Sequence, residues 1–474
     1  MRLLGAIECK ENIMQNKTQS PQGEKKQGKS GFIKGAAWIA AGGFSAKIIG
    51  ALYRIPLTNL IGGYGIGLYQ LVYPVYCLLL TVSATGIPSS IAKLTAEKIG
   101  RGESAKPLFQ TAMRLFLLIG LCGSLLMALL APLLSKAQGS QAVVGGYYAL
   151  APSVLLVSAI SVFRGYFQGR NKMYPTALSE VTEQVVKVGC GLLFAYLYRA
   201  NIEKAVVFLL LSVSISKLVA LLLMIFLFRR IPAPAQLKNE GGRVTMKSVL
   251  KLSIPVTLSS ILLPLSGLLD SLLVPRLLGV YATDAVTLFG LFSGGAVTII
   301  NLPVSVCYGI AAASVPAVAA AAARKKTAGK KGNLVRKKIW FSLFITIAVA
   351  LPSALALYLF AEPASKIIFR SLKGEELEIL VQLVKIFSLS ALTLSCVQTL
   401  SACLTAQGQP QYAALSMLIA VLVKTAAYVF LLRDPDISVF GMAHATNLCY
   451  LVAFLLDLLY NLKVSKQPKE KTNE

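Results

Sequence analysis

Residues 205–228 read A-V-V-F-L-L-L-S-V-S-I-S-K-L-V-A-L-L-L-M-I-F-L-F, with Lys217 as the only charged side chain. As a helix, this stretch is long enough to cross a hydrocarbon core of about 30 Å. Similar runs recur along the chain, which is 55% hydrophobic and only 14% charged. Soluble domains carry roughly 25% charged residues. The sequence therefore predicts an all-α integral membrane protein.

The apolar runs predict about twelve transmembrane helices, with short connections between most of them. Their approximate spans are 33–57, 69–92, 113–134, 147–167, 179–198, 205–228, 249–275, 286–315, 339–360, 380–404, 413–432 and 437–461.

Short matches at a fixed offset indicate an internal repeat. T-A-L-S at 176–179 precedes Lys187, and A-A-L-S at 413–416 precedes Lys424, so both matches have an offset of 237. An even number of helices in each half gives the two halves the same orientation. The sequence thus predicts two six-helix bundles related by a parallel pseudo-twofold repeat, which is an arrangement typical of transporters.

The distribution of Lys and Arg predicts the topology. With both termini in the cytoplasm, the cytoplasmic segments hold 33 of these residues and the opposite side holds 9, as the positive-inside rule requires. We therefore expect a multi-pass protein of the cytoplasmic membrane. Its predicted segments are a disordered cytoplasmic tail (1–31), an N-terminal bundle (32–228), a cytoplasmic linker (229–248), a C-terminal bundle (249–462) and a cytoplasmic tail (463–474).

Other function classes find little support in the sequence. The net charge of +27 is explained by cytoplasmic loops, so nucleic-acid binding is not expected. The eight cysteines form no C-x-x-C pair, which argues against a zinc site. Common nucleotide-binding, serine-hydrolase and zinc-protease motifs are missing. We predict no enzymatic activity, no catalytic residue, no metal and no cofactor.

Basic side chains outnumber acidic ones inside the predicted helices. A charge at the bilayer centre costs about 2.5–3.5 kcal/mol on insertion scales, so it must face a wet cavity, find a partner or reach the interface. A cavity with net positive charge favours an anionic substrate, such as a lipid pyrophosphate. The basic residues are Lys47, Lys187, Lys217, Lys385 and Lys424, and the acidic ones are Glu183, Asp270 and Asp457.

Two lysines have different expected surroundings. Glu180, Glu183 and Lys187 share one helical face, so they either neutralise each other or form a cavity wall where substrate competes for Lys187. Lys424 has no acidic neighbour on its own helix. Its partner is therefore expected from another helix or from the substrate.

Asp270 also lacks a basic residue one turn away on its own helix. It is expected to pair with Lys47 or Arg54, or to bind a coupling cation. Lys47 and Arg54 are two helical turns apart on one face, where they could hold a phosphate group at two depths.

Several motifs resemble the stage V sporulation protein B family, within the multidrug/oligosaccharidyl-lipid/polysaccharide flippase superfamily. The motifs are G-A-L-Y-R-I-P-L-T-N-L-I-G at 50–62, Y-G-I-G-L-Y-Q-L-V-Y-P-V-Y at 64–76, T-G-I-P-S-S-I-A-K-L-T-A-E at 85–97 and F-R-G-Y-F-Q-G-R-N-K-M-Y-P-T-A at 163–177. The resemblance implies that Lys47 and Arg54 match basic residues of a cationic cavity in related lipid II flippases. Those flippases have an arginine where this chain has Ser293, Gly294 and Gly295, and the family usually has two more helices.

We therefore predict a flippase that moves a lipid-linked cell-wall or polysaccharide precursor across the membrane by alternating access. Its expected partners are the lipid-linked oligosaccharide, membrane lipids and cell-wall synthesis machinery. A cation-coupled multidrug exporter of the same fold, a non-transport protein of spore-envelope assembly and a membrane glycosyltransferase are the alternatives. The substrate-binding candidates are Lys47, Arg54, Glu183, Lys187, Lys217 and Lys424, and Asp270 is the ion-coupling candidate.

Overall fold

A computed structural model describes residues 21–231, 249–250, 253–254, 257, 260–328 and 333–466. Within these helices, the side chains of residues 21–48, 51, 323–328, 333 and 465–466 lie outside the description. Most of the predicted linker 229–248 lies outside the described residues, as do residues 1–20 and 467–474 of the predicted tails.

The fold is all-α, as predicted. In the first half the helices are α1 (Pro21–Leu80), α2 (Ile87–Gly100), α3 (Lys106–Ala137), α4 (Val144–Gly169), α5 (Tyr174–Leu197) and α6 (Ile202–Arg230). In the second half they are α7 (Leu262–Leu278), α8 (Ala285–Gly290), α9 (Val297–Ala328), α10 (Asn333–Leu359), α11 (Ala361–Ile368), α12 (Glu375–Ala406), α13 (Pro410–Leu431) and α14 (Phe440–Lys466).

These helices form the predicted twelve membrane spans. Gly62, with φ of 66°, divides α1 into two spans, because this left-handed conformation suits glycine. A π-helical turn at Thr81–Thr85 leads into α2, and another at Leu291–Ala296 joins α8 to α9. The short α11 lies between two spans. Because α1 begins at Pro21, residues 21–31 are helical, and the predicted disordered tail is wrong over that stretch.

Helix packing repeats between the halves, confirming the predicted pseudo-twofold arrangement of two six-helix bundles. In the first half α3 packs on α4, α5 on α6, and α4 on α6. In the second half α10 packs on α12, α13 on α14, and α12 on α14. Leucines of α3 such as Leu118, Leu129 and Leu133 are exposed, which fits a surface that faces lipid.

The two ends of the bundle can be named by the turns that they contain. The Gly62 end holds the break in α1 and the turns that follow α3, α5, α7 and α13. The Arg101 end holds the turns that follow α2, α4 and α12. One large apolar core joins both halves. Of two smaller cores near the Arg101 end, one combines first-half helices with Val249, and the other lies within the second half.

The halves meet at the Gly62 end through glycines. Gly63 and Gly67 are spaced as in a G-x-x-x-G motif, and Gly290 has the same spacing to Gly294. A Cβ added to Gly290 would lie 2.4 Å from the carbonyl oxygen of Gly63 and 2.5 Å from the amide nitrogen of Gly67. Small residues permit such close backbone approach between membrane helices. We call this contact the glycine crossing.

Candidate substrate cavity

Two cavities lie beside the glycine crossing. Cavity 1 has a volume of about 330 Å³ and lies between the first half and α9. Cavity 2 has a volume of about 230 Å³ and lies mostly within the second half. Gln70 lines both cavities, and its Nε2 donates a hydrogen bond to the carbonyl oxygen of Ser293 at 2.7 Å. The Gln70–Ser293 contact therefore separates the two spaces.

Cavity 1 contains two basic side chains, Arg54 and Lys187. Arg54 Nη1 donates to Thr298 Oγ1 at 2.9 Å, which links α1 to α9. The Lys187 Nζ lies 5.9 Å from the ring centroid of Tyr53. No carboxylate belongs to the lining of cavity 1 in the described part of the chain. The cavity therefore presents uncompensated positive charge.

Cavity 2 contains one base and one acid. Lys424 Nζ lies 2.7 Å from Asp270 Oδ1 and donates to Ser266 Oγ at 2.6 Å. It also lies 5.5 Å from the ring centroid of Tyr428. The lysine has the partner from another helix that the sequence predicted. The expected pairing of Asp270 with Arg54 is wrong, because Arg54 is in cavity 1 and Asp270 contacts Lys424.

The internal repeat places the surroundings of Lys187 and those of Lys424 at equivalent positions in the two halves. Between the first part of α1 and α7, an offset of 217 matches Gly50 with Gly267 and Gly62 with Gly279. The same offset matches Tyr53 with Asp270. Each half thus has a lysine opposite this position, but only the second half has a carboxylate there.

The tyrosines that contact the two lysines also come from different helices in the two halves. The offset of 237 that matches Lys187 with Lys424 also matches Gly191 with Tyr428. A Cβ on Gly191 would lie 2.1 Å from the Tyr53 hydroxyl, so the tyrosine of α1 occupies space beside α5 that a larger side chain would need. A tyrosine contacts each lysine, but it comes from α1 in the first half and from α13 in the second. This exchange leaves Lys187 without an ion pair among the described residues.

Glu183 and Lys217 form a separate buried network. Lys217 Nζ pairs directly with Glu183, and Arg164 Nη2 lies 3.4 Å from Glu183 Oε2. Arg164 Nη1 also lies 3.9 Å from Glu180. Neither Glu183 nor Lys217 lines cavity 1 or cavity 2. The Glu183–Lys187 ion pair considered from sequence is wrong, because Glu183 pairs with Lys217 and Arg164.

The side chain of Lys47 lies outside the described residues, so its predicted role stays a prediction. Several groups of the cavities were not found by sequence reasoning. Tyr53, Gln70 and Ser266 are uncharged, so they gave no signal in an apolar run. Arg164, near the end of α4, was counted among the 33 cytoplasmic basic residues, although its side chain reaches Glu183.

The Asp270–Lys424 pair provides a test of a structural role. Lys424→Met should lower the free energy of unfolding by about 1–3 kcal/mol, less than the 3–5 kcal/mol of a fully buried pair, because Asp270 borders a cavity. Asp270→Asn combined with Lys424→Met should restore most of it. Thermal unfolding of both variants in detergent measures the effect. If the double variant is no more stable than Lys424→Met, the pair does not stabilise the fold.

The fold and its inter-helix cavities define a multi-pass membrane transporter. The family model for polysaccharide biosynthesis proteins matches residues 32–322, and the chain belongs to this family of membrane flippases. Membership confirms the predicted transport class and excludes the enzyme alternative.

Relatives at the sequence level come from Bacillus subtilis (strain 168). Stage V sporulation protein B is 27% identical over 450 residues, which cover 92% of this chain and 84% of that protein. The lipid II flippase MurJ is 27% identical over 170 residues, which cover 34% of this chain and 31% of its own length.

Solved structures have the same fold. An inward-facing multidrug resistance MATE transporter has a TM-score of 0.71 at 14% identity, covering 90% of this chain and 96% of its own. The lipid II flippase MurJ in an inward closed conformation has a TM-score of 0.65 at 16% identity, covering 90% of this chain and 89% of its own. These similarities establish the fold alone.

Proposed function

We propose that the protein flips a lipid-linked cell-wall or polysaccharide precursor whose anionic pyrophosphate binds in cavity 1. The supporting observation is that Arg54 and Lys187 line the same cavity. No carboxylate lines that cavity among the described residues. Arginine binds phosphate oxygens with a planar fork, and lysine adds a point charge. Such a pair favours phosphate over a cationic drug.

The size of cavity 1 supports a headgroup site. At about 330 Å³ it is at the small end of ligand pockets, so it has room for a phosphate group and part of a sugar. The polyprenyl chain would stay in the bilayer. Alternating access would then carry the headgroup between leaflets as bundles 32–228 and 249–462, joined by linker 229–248, rock against each other.

Reconstituted vesicles test the function. A fluorescent sugar linked to a short polyprenyl pyrophosphate should cross the bilayer faster in vesicles with protein than without it. The same sugar on an uncharged polyprenyl ether is the matched control and should cross at the background rate. Equal acceleration of both lipids would contradict a phosphate-binding cavity, and acceleration of neither would contradict the flippase proposal.

The multidrug exporter has lost its main support. Asp270, the predicted ion-coupling candidate, is the acid that a cation-coupled exporter would use, but the Lys424 ammonium contacts that carboxylate. A role in spore-envelope assembly and an association with cell-wall synthesis machinery stay predictions. Export would be supported if expression of the protein raised the resistance of a sensitive strain to cationic drugs.

The cytoplasmic-membrane location, with both termini in the cytoplasm, is also part of this proposal. It rests on the 33-to-9 distribution of basic residues and places the Gly62 end outside. In a cysteine-free background, an impermeant maleimide added to intact cells should label Ile367→Cys, because Ile367 is 65% exposed at that end. It should not label Lys26→Cys. The reverse pattern would invert the orientation.

A further inference from the structure

Asp457 differs from the other carboxylates inside the spans. Glu180, Glu183 and Asp270 each lie within 4 Å of a lysine or arginine nitrogen. Asp457 of α14 has no ion pair with any described residue, although only 1% of its surface is exposed. Its charge therefore has no compensation of the kind that the other three have.

The contacts of Asp457 are with neutral groups. Ser401 Oγ of α12 lies 2.5 Å from Asp457 Oδ2, and Ser416 of α13 lies beside the carboxyl group. The second oxygen, Oδ1, is buried without a hydrogen-bond partner among the described atoms. Because Oδ1 is completely buried, an alkali cation would not fit there without rearrangement.

The neighbouring helices present no charged side chain to Asp457 within their described residues. Helix α10 contributes Ile339 and Leu343 to the adjoining apolar cluster, and α12 contributes Cys403 to it. From α13, Tyr412 stacks on Tyr460 with ring centroids 4.7 Å apart. The basic residue of that helix, Lys424, contacts Asp270.

An ionised carboxylate in such surroundings has a desolvation penalty of several kcal/mol, which a proton removes. If Oδ2 carries a proton, the carboxyl group donates a hydrogen bond to Ser401 Oγ over the same 2.5 Å distance. Oδ1 is then a neutral carbonyl oxygen, for which a missing partner is far less unfavourable than for an anion.

We propose that Asp457 is a proton-binding site of the transport cycle, occupied in the present conformation and emptied in a conformation that admits water between α12, α13 and α14. Loss of the proton to water would leave a carboxylate that only a hydrated conformation can accommodate. The site would thereby couple proton release to movement of the second half. Asp457 replaces Asp270 as the ion-coupling candidate, because Asp270 already has Lys424 as its cation.

A column of polar side chains leads from Asp457 to the Arg101 end. Asn461 Nδ2 donates to the carbonyl oxygen of Asp457 at 2.8 Å, one turn along α14. Gln407 Nε2, in the turn after α12, donates to Asn461 Oδ1 at 2.9 Å. Entry of water along this column from the Arg101 end would give the proton a route to solvent.

Infrared difference spectroscopy of the full-length protein in vesicles tests the proposal without any substrate, so its result is independent of the lipid-phosphate proposal. The wild type should show a C=O band of a protonated carboxyl group that disappears as the pH is raised. Asp457→Asn should lose this band, and Asp436→Asn, at an exposed aspartate, should keep it. Ser401→Ala should shift the band without removing it, which covers the case of a poorly folded Asp457→Asn.

Three results would overturn the proposal. The first is a titrating band that is unchanged in Asp457→Asn and in Ser401→Ala, because the proton would then be on another group. The second is a band that disappears on addition of sodium at constant pH, because an alkali cation would then compete for the carboxylate. A wild-type spectrum without any titrating carboxyl band would also contradict it.

Discussion

Replacement of Lys187 by methionine is expected to weaken binding of a polyprenyl pyrophosphate about tenfold or more and to reduce flipping accordingly. Loss of one charge-assisted hydrogen bond of about 1.5–3 kcal/mol corresponds to a change of that size. The unfolding temperature should stay near the wild-type value, because Lys187 has no ion pair among the described residues. Binding measured in detergent, with thermal unfolding on the same samples, checks both expectations.

The equivalent lysine of the second half is the matched control. Lys424→Met should chiefly lower stability, as argued above, and the Asp270→Asn, Lys424→Met double variant should bind the lipid as the wild type does. Lys187→Arg should keep most of the affinity, because it keeps the positive charge. Wild-type binding by Lys187→Met, or an equal loss of affinity in the double variant, would show that Lys187 has no special place in the site.

Replacement of Gly290 by alanine is expected to open the glycine crossing. The added Cβ would meet backbone atoms of α1 at 2.4 and 2.5 Å, and backbone cannot rotate away as a side chain can. Overpacking of this kind typically costs about 1–3 kcal/mol, which corresponds to a roughly 5- to 150-fold shift between closed and open states. The Gly62 end should therefore be open in a much larger share of molecules.

Accessibility of Ser293 measures this shift. In a cysteine-free background, Ser293→Cys should react slowly with an impermeant maleimide on intact cells and much faster when Gly290→Ala is also present. Gly309→Ala is the control on the continuing helix α9, because a Cβ there meets no atom within 4 Å. Equal labelling rates in the presence and absence of Gly290→Ala would show that the crossing is not a gate.

The sequence alone was sufficient for the membrane class, the twelve spans and the repeat. These properties depend on local composition: long apolar runs must form helices in a bilayer, since backbone groups have no water to bond there. Even the equivalence of Lys187 and Lys424 was visible, because matched residues at a constant offset are a one-dimensional signal. The resemblance of residues 50–177 to flippases added the functional class.

The partners of the intramembrane charges were decided by the tertiary structure. Glu183 is four residues from Lys187, yet it pairs with Lys217 and Arg164 of other helices. Asp270 is 154 residues from Lys424, and its pairing depends on how α7 packs against α13. Helical periodicity predicts the face on which a side chain lies but not which helix faces it. For this reason helical periodicity did not reveal that Tyr53 and Asp270 occupy equivalent positions. This difference leaves Lys187 without an ion pair and gives Lys424 one.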